Sequence, residues 1–319
     1  MSGAAREATF LTFSRGRAIA FALFAVFVAV APAFLYTIFL MKVYCFIIFA
    51  CGYNLLLGYT GLMSFGHAAF FGMGAYLCGW AATRLGLPFE LAVATGTLCA
   101  AALGFLVGSI AIRRTGLYFA MITLALAQMV YFLAKQAPFT GGENGIQSVP
   151  RGKLLGVVDL TSNAALYALM ALIVLATLAF YNRVVHSPFG QVLRAIRNNP
   201  ERAKSLGYDV DRFKVASFTL SAAMAGFAAS LKTVIFGIST LTDIETVTST
   251  EVVLINLVGG IGTIFGPVVG SFLILSLEHF LSPYGPWVLV IQGVVFMAFV
   301  LLFRQGIVGE AQKRLRTPL

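Results

Sequence analysis

The sequence has little charge for its length. Only 11% of its 319 residues are charged, whereas 59% are hydrophobic. A soluble domain of this size would carry polar faces at helical spacing, yet segments such as 18–36 and 286–303 are apolar on every side. Such runs recur along the chain and have the length that an α-helix needs to cross a bilayer. The composition therefore excludes a soluble protein and predicts a polytopic membrane protein.

Residues that carry catalysis are also scarce. The four cysteines show no CxxC spacing, and the three histidines show no metal-ligand spacing. A GxxxxGK[ST] phosphate-binding loop is missing from the sequence. Charges are almost absent from the middle of the apolar segments, although an ion-coupled carrier usually needs them there. We therefore expect no catalytic residue, no metal site and no cofactor bound by this chain. If transport is active, its energy comes from another subunit.

The net charge of +10 follows the topology of a membrane protein. Ten segments are predicted to span the bilayer: 18–36, 38–57, 67–83, 88–112, 116–134, 164–182, 214–232, the glycine-broken pair 249–259 and 264–280, and 286–303. With both termini in the cytoplasm, sixteen of the 22 basic residues lie inside, which is the positive-inside pattern. The topology thus explains the net positive charge without a nucleic-acid partner.

These observations predict an all-α fold, a polytopic membrane helix bundle of about ten transmembrane segments with two glycine-broken elements. We expect one transmembrane domain over residues 1–319. It would have a cytoplasmic N-terminal segment at 1–17, a cytoplasmic loop at 183–213 and a cytoplasmic tail at 304–319.

Two glycine-rich stretches interrupt the apolar segments in a similar way. "NLLLGYTGLMSFGHAAFFGMGAY" (54–76) and "NLVGGIGTIFGPVVGSF" (256–272) share a leading asparagine, spaced glycines and a Phe-Gly pair. Discontinuous helices related by an internal repeat hold the substrate in many transporters. Chance or shared glycine packing explains the likeness equally well. For His67, packing or hydrogen bonding is the alternative to a proton relay. The candidate translocation path consists of small and polar residues of both stretches: Gly58, Thr60, Gly61, Ser64, Gly66, His67, Gly259, Gly260, Gly262 and Thr263.

The polar loop at 183–213 carries two helix-start signals. Ser187-Pro188 and Asn199-Pro200 each place a capping side chain before a proline at the first helical position. Gly207 then supplies a stop. Four apolar residues after the first signal recur at the spacing of one helix face: Phe189, Val192, Leu193 and Ile196.

Two uses of this loop stay open from its residues alone. Two capped helices would make a rigid projection that another protein can bind. Alternatively, the loop lies on the bilayer, held to anionic headgroups by its basic residues: Arg194, Arg197 and Lys204.

Five stretches, taken together and in this order, resemble the LivM-type permeases of the LivH/LivM family of branched-chain amino acid ABC importers: "GYNLLLGYTGLMSFGHAAFFGMGAY", "TGLYFAMITLALAQMV", "TGGENGI", "SPFGQVLRAIRNNPERAKSLGYDVDRFKVASF" and "VGGIGTIFGPVVGS". Residues 201–207 resemble the EAA-xxx-G loop of ABC importer permeases, whose short coupling helix docks into the ATPase. The resemblance implies that Pro200, Glu201, Ala203 and Gly207 form the ATPase-coupling loop. Arg202 departs from the motif, which has alanine there.

The resemblance also implies a function and a set of partners. The chain would be a non-enzymatic permease subunit of the bacterial inner membrane that translocates branched-chain amino acids, with ATP used by partner subunits. The partners would be a homologous LivH-type permease, two ABC ATPase subunits, and a periplasmic or extracellular substrate-binding protein. The alternatives are a permease for urea, short amides or other amino acids, and an ion-coupled secondary carrier.

Overall fold

The structure is a computed structural model that describes residues 15–154, 158–285, 287–303 and 305–315. Within these ranges the helices are joined by turns and loops, and two paired antiparallel strands of two residues are present, β1 (Lys153–Leu154) and β2 (Val158–Asp159). The helices are α1 (Arg15–Val30), α2 (Thr37–Asn54), α3 (His67–Arg84), α4 (Phe89–Ala111), α5 (Leu117–Gln136), α6 (Asn163–His186), α7 (Pro188–Asn198), α8 (Pro200–Ser205), α9 (Val210–Phe236), α10 (Thr246–Gly259), α11 (Gly266–Leu281), α12 (Trp287–Leu302) and α13 (Gly306–Leu315).

Each of the ten predicted segments coincides with one of these helices, with ends that differ by a few residues. Residues 1–14 of the predicted N-terminal segment lie outside the described residues, as do Arg304 and residues 316–319 of the predicted tail. The rest of that tail is largely helical, because it forms α13. Helical structure also extends into both ends of the predicted loop at 183–213, since α6 ends at His186 and α9 begins at Val210.

Among the described residues, five helical stretches are long and apolar enough to cross a bilayer: Thr37–Thr60, Phe89–Ala111, Leu117–Gln136, Asn163–His186 and Val210–Phe236. Several large apolar side chains on α4 and α6 are exposed, among them Leu98, Phe105 and Leu172. Exposed apolar faces of this kind suit a lipid environment, in which they need no polar covering. The predicted helical membrane bundle is confirmed.

The centre of the bundle is formed by α2 and α9, which are buried on most sides. The helices α3 and α4 pack on α9 through small residues, so that the backbones approach closely. Gly74 of α3 and Gly226 of α9 face each other, and a Cβ added to Gly74 would lie 2.6 Å from the Cα of Gly226. Small residues therefore set the spacing of the central helices.

A chain of contacts places several elements at the same end of the bundle. α7 reaches Gly58 through a side-chain hydrogen bond, and Gly58 lies against Gly262. Gly306, at the start of α13, lies against Gly260. We call this end, defined by α7, Gly58, Gly260, Gly262 and Gly306, the loop end.

The first helix runs parallel to α11 and begins at the loop end. Phe21 contacts Phe265 with ring centroids 5.1 Å apart, and Phe27 contacts Phe272 at 5.7 Å. The opposite end, which we call the far end, joins the start of α2 to the end of α11 through an ion pair of 3.0 Å between Lys42 and Glu278. The first and last described helices thus meet the loop end.

Candidate functional site

The first loop helix, α7, has the predicted cap and the predicted apolar face. Ser187 caps it by accepting a hydrogen bond from the backbone N–H of Gly190 at 3.4 Å. Leu193 and Ile196 are fully buried, and Phe189 stacks on Phe213 of α9 with ring centroids 5.9 Å apart. The apolar side of α7 therefore anchors the loop to the bundle.

The second loop helix, α8, is short and is defined by its ends. The side chain of Asn199 accepts a hydrogen bond from the backbone N–H of Arg202 at 3.0 Å, as an N-cap does. At the other end, Gly207 has a φ of +90°, and the N–H of Tyr208 donates to the carbonyl of Ala203 at 3.2 Å. This is a glycine-terminated helix stop, and it confirms the predicted capped helix.

Of the four residues implied to form the coupling loop, one is buried and three are exposed. Ala203 is buried against the bundle, with 1% of its surface exposed. Pro200 and Glu201 are exposed, and so is Gly207 at the turn. A Cβ added to Gly207 would meet nothing within 4 Å, so its left-handed φ rather than crowding favours glycine. Of these four residues, Ala203 alone packs against the bundle, and the other three face outward.

The outward side of α8 carries charge and ends in an apolar residue. Arg202 and Lys204 are exposed beside Glu201, and Leu206 is 70% exposed at the tip. Leu206 is not among the residues predicted from the sequence to form the coupling loop. Its signal was an apolar residue directly before the stop glycine of an otherwise polar helix. This surface offers both charged and apolar contacts to a partner protein.

The two glycine-broken stretches meet at the loop end. α2 continues as a π-helix over Leu55–Thr60, while α10 stops at Gly259 before a turn. The buried side chain of Asn54 joins them: it donates to the carbonyl of Thr263 at 2.7 Å and accepts from the N–H of Gly262 at 2.9 Å. A Cβ on Gly58 would lie 2.7 Å from the nitrogen of Gly262, so glycine permits this close approach.

The two leading asparagines are not equivalent, despite their matching sequence positions. Asn54 bridges to the other stretch, whereas Asn256 donates to Val252 of its own helix at 2.9 Å. The side-chain oxygen of Asn256 has no hydrogen-bond partner among the described residues. The proposed repeat is therefore not reproduced in these hydrogen bonds.

The polar residues of the candidate path hydrogen-bond within the protein. Thr60 lies 2.7 Å from Ser217 of α9, measured between hydroxyl oxygens. The backbone carbonyl of Ser64 accepts from the hydroxyl of Tyr53 at 2.9 Å. Thr263 accepts a hydrogen bond from the N–H of Gly266 at 3.0 Å, at the start of α11. Thr60 therefore ties the first stretch to α9, whereas the other two bonds are local to each stretch.

His67 is fully buried at the start of α3. Its Nε2 lies 2.8 Å from the hydroxyl oxygen of Ser221, and three aromatic rings pack around the imidazole. This environment favours the packing alternative, and a role in translocation stays a prediction. The other path glycines, apart from Gly61, lie against neighbouring backbone: Gly66 at Thr123, Gly259 at Gly266, and Gly260 at Gly309.

The far end carries charged pairs and a groove. Lys232 of α9 pairs with the buried carboxylate of Asp243, and Lys42 pairs with Glu278. A groove of about 600 Å³ between α10, α11 and α12 includes Glu251 and Glu278 in its lining. Ionic contacts therefore connect helices at the far end, whereas backbone contacts and capped helices connect them at the loop end.

The loop between α5 and α6 also lies at the far end and is rich in turns. It contains short 3-10 helices at Pro138–Thr140 and Gly142–Asn144. Glu143 forms an exposed ion pair of 2.8 Å with Lys135, and this ammonium group lowers the pKa of the Glu143 carboxyl. Arg151 donates to the carbonyl of Ile235 at 3.2 Å, which fixes the loop to the end of α9.

Comparison with known proteins gives one family across most of the chain. The family described as branched-chain amino acid transport system, permease component, matches residues 35–303. The chain is 28% identical over 294 residues to the high-affinity branched-chain amino acid transport system permease protein LivM of Escherichia coli K12, covering 85% of this chain and 69% of that protein.

More distant relatives point to the same class of protein. The chain is 25% identical over 280 residues to the LivH permease protein of the corresponding system of Salmonella typhimurium, covering 82% of this chain and 91% of LivH. It is 23% identical over 177 residues to the xylose transport system permease protein XylH of Escherichia coli K12, covering 53% and 45% of the two chains. No solved structure matches the chain.

Proposed function

The chain belongs to the family of permease components of branched-chain amino acid transport systems, and we propose that it translocates branched-chain amino acids across the bacterial inner membrane. It is a permease subunit of an ABC importer. The substrate is inferred from the names of the relatives.

The proposed topology has ten crossings, with both termini in the cytoplasm. Two observations support a common side for the termini and the loop. The start of α1 lies beside the start of α11, and α13 lies against Gly260 at the loop end, where α7 also contacts the bundle. With the loop end in the cytoplasm, the basic residues follow the positive-inside pattern. The loop between α5 and α6 would then face the substrate-binding protein.

Energy would enter through the α7–α8 loop. The observation that carries this proposal is the contrast between the buried apolar face of α7 and the exposed surface of α8. A capped helix moves as one body, so a partner that displaces α8 would move the elements to which α7 is anchored. Two ABC ATPase subunits would supply this motion, and a homologous LivH-type permease would complete the pathway. The chain itself would bind no cofactor and no metal.

Reconstitution of the complete complex in proteoliposomes tests this function. Leucine uptake should require ATP, the binding protein and ATPase subunits able to hydrolyse ATP. A matched complex whose ATPase subunits bind but do not hydrolyse ATP is the control. Uptake by this chain alone under an ion gradient would instead identify a secondary carrier.

Competition experiments in the same vesicles test the substrate class. An excess of unlabelled leucine, isoleucine or valine should suppress labelled leucine uptake, whereas urea, short amides and xylose should not. Suppression by urea or an amide alone would assign the chain to another substrate of the family. The xylose arm is included because one relative is a xylose permease.

A further inference from the structure

One arginine of α7 contacts both glycine-broken stretches. The Nη1 of Arg197 donates a hydrogen bond to the backbone carbonyl of Gly58. The same Nη1 would lie 3.3 Å from a Cβ added to Gly262. A single guanidinium group from the loop thus lies between the two breaks.

The aliphatic part of this arginine packs on a third glycine. A Cβ added to Gly61 would lie 3.1 Å from the Cγ of Arg197 and 3.7 Å from its Cβ. Glycine at positions 58, 61 and 262 therefore leaves space for the Arg197 side chain and for the opposing break. These glycines were singled out as candidates for lining a path, and the structure gives them a role in contact with the loop.

The carbonyl of Gly58 is available because of the local backbone. The last carbonyl groups of a helix lack intrahelical partners, and Gly58 lies in the final turn of the π-helix over Leu55–Thr60. A hydrogen bond from a charged donor to such a carbonyl is stronger than a neutral one. The side chain of Arg197 is otherwise exposed, so the contact can form and break without opening the core.

A second contact joins the breaks next to this arginine. The hydroxyl of Tyr59 donates to the carbonyl of Gly262 at 2.9 Å. The guanidinium carbon of Arg194, one turn before Arg197 on α7, lies 5.7 Å from the centre of the Tyr59 ring. Arg194 also donates to the carbonyl of Val185 at 2.7 Å, at the end of α6. The loop is therefore linked to α6 and to both breaks by neighbouring side chains.

We propose that Arg197 is a positioning residue that couples both glycine breaks to the α7–α8 loop. Displacement of α8 would then move the two breaks together. This inference rests on the proposed function as an ABC importer subunit. It assigns the transmission step to α7, whereas the family motif lies in α8.

The test measures leucine taken up per ATP hydrolysed by the reconstituted complex. Arg197→Met keeps the aliphatic length and removes the donor, so this ratio should fall by about fivefold or more. Arg197→Lys retains a charged donor and should recover at least half of the wild-type ratio. Arg212→Met is the matched control, because Arg212 is exposed near the start of α9 and pairs with Asp209 at 2.8 Å. It should leave the ratio unchanged.

An Arg197→Met ratio within about twofold of Arg212→Met would overturn the inference, and so would an Arg197→Lys complex as defective as Arg197→Met. If Arg197→Met is not recovered from the membrane, Arg197→Gln replaces it, because glutamine is polar but shorter and uncharged. A ratio within about twofold of Arg212→Gln would count equally against the inference.

A second measurement does not depend on transport. A cysteine introduced at Met63, which is exposed next to the first break, should react faster with maleimide in Arg197→Met than in Arg212→Met. The parent chain gives the background from its own cysteines. Equal rates would overturn the inference even if the complex transported no leucine. Absence of ATP-dependent uptake by the wild-type complex would instead contradict the proposed function.

Discussion

The helices α7 and α8 begin with the same signal but make different contacts. Each starts with a capping side chain followed by proline. In the eleven residues of α7, Leu193 and Ile196 are buried at helical spacing, whereas in the six residues of α8 only Ala203 is buried. The difference lies in the apolar residues that follow the cap. A shared start signal defines where each helix begins, and the apolar spacing decides whether it packs or projects.

This difference matters for how the loop works. A six-residue helix has too few backbone hydrogen bonds to be stable alone, so α8 depends on its caps. α7 is stabilised by burial against the bundle and depends less on its cap. We therefore expect substitutions on the buried face of α7 to affect stability, and substitutions in α8 to affect coupling.

The largest effect is expected from truncating a buried leucine of α7. Leu193→Ala removes a fully buried side chain and should lower the free energy of unfolding by about 2–5 kcal/mol. Leu206→Ala makes the same change at a position that is 70% exposed and should hardly affect stability. Thermal unfolding of the detergent-purified complex compares the two. Equal losses of stability would contradict the assignment of α7 as the anchor.

A branched residue at the stop of α8 is expected to have the next largest effect. Gly207→Val places a β-branched residue at a φ of +90°, which costs about 1–2 kcal/mol or more. The α8–α9 turn should deform, so ATP hydrolysis becomes uncoupled from uptake while membrane insertion is retained. Gly207→Asn is the control, because asparagine tolerates the left-handed region. Normal uptake and normal stimulation of the ATPase by Gly207→Val would contradict a lever role.

The caps provide a matched pair of smaller effects. Asn199→Ala and Ser187→Ala each remove a capping side chain, which is worth about 0.5–2 kcal/mol to a helix. Because α8 has little other support, Asn199→Ala should reduce uptake per ATP more than Ser187→Ala does. The opposite order in the proteoliposome assay would show that α7 depends more on its cap than α8.

The smallest effect is expected at Arg202, where the chain departs from the family motif. An exposed ion pair is worth about 0–1 kcal/mol and weakens with salt. If Arg202 faces an acidic patch of the ATPase, Arg202→Ala should weaken ATPase binding slightly at low salt and not at high salt. Pull-down of the ATPase subunits across a salt series measures this. A salt-independent loss would point to a packing contact instead.

The parts of the fold that sequence analysis predicted depend on local signals. Ser187 and Asn199 cap nearby N–H groups, and Gly207 ends α8 through its own φ, so a few neighbouring residues suffice. The ten apolar segments are likewise local patterns of bilayer length. Their predicted ends differ from the helix ends by several residues, because apolar composition does not define where a helix stops.

The contacts between the breaks were not predictable in the same way. Asn54 bonds to Gly262 and Thr263 more than 200 positions away, and Arg197 bonds to Gly58 across 139 positions. Glycine spacing showed that the backbone was interrupted, but not which groups would fill the space left by the missing side chains. The sequence therefore predicted for Arg197 only a contact with anionic lipid headgroups, and not its bond to Gly58.

Site-directed cross-linking tests most directly whether α8 receives the motion of the ATPase. A photoactivatable maleimide on Arg202→Cys is selective, because Cys45, Cys51 and Cys78 are buried and Cys99 is partly buried. In the assembled complex we predict cross-links from Arg202→Cys to an ATPase subunit, with a yield that changes when ATP is added. The same probe on Gln147→Cys, an exposed position at the far end, should give none. Cross-links to the ATPase from Gln147→Cys but not from Arg202→Cys would contradict the assignment of α8 as the ATPase contact.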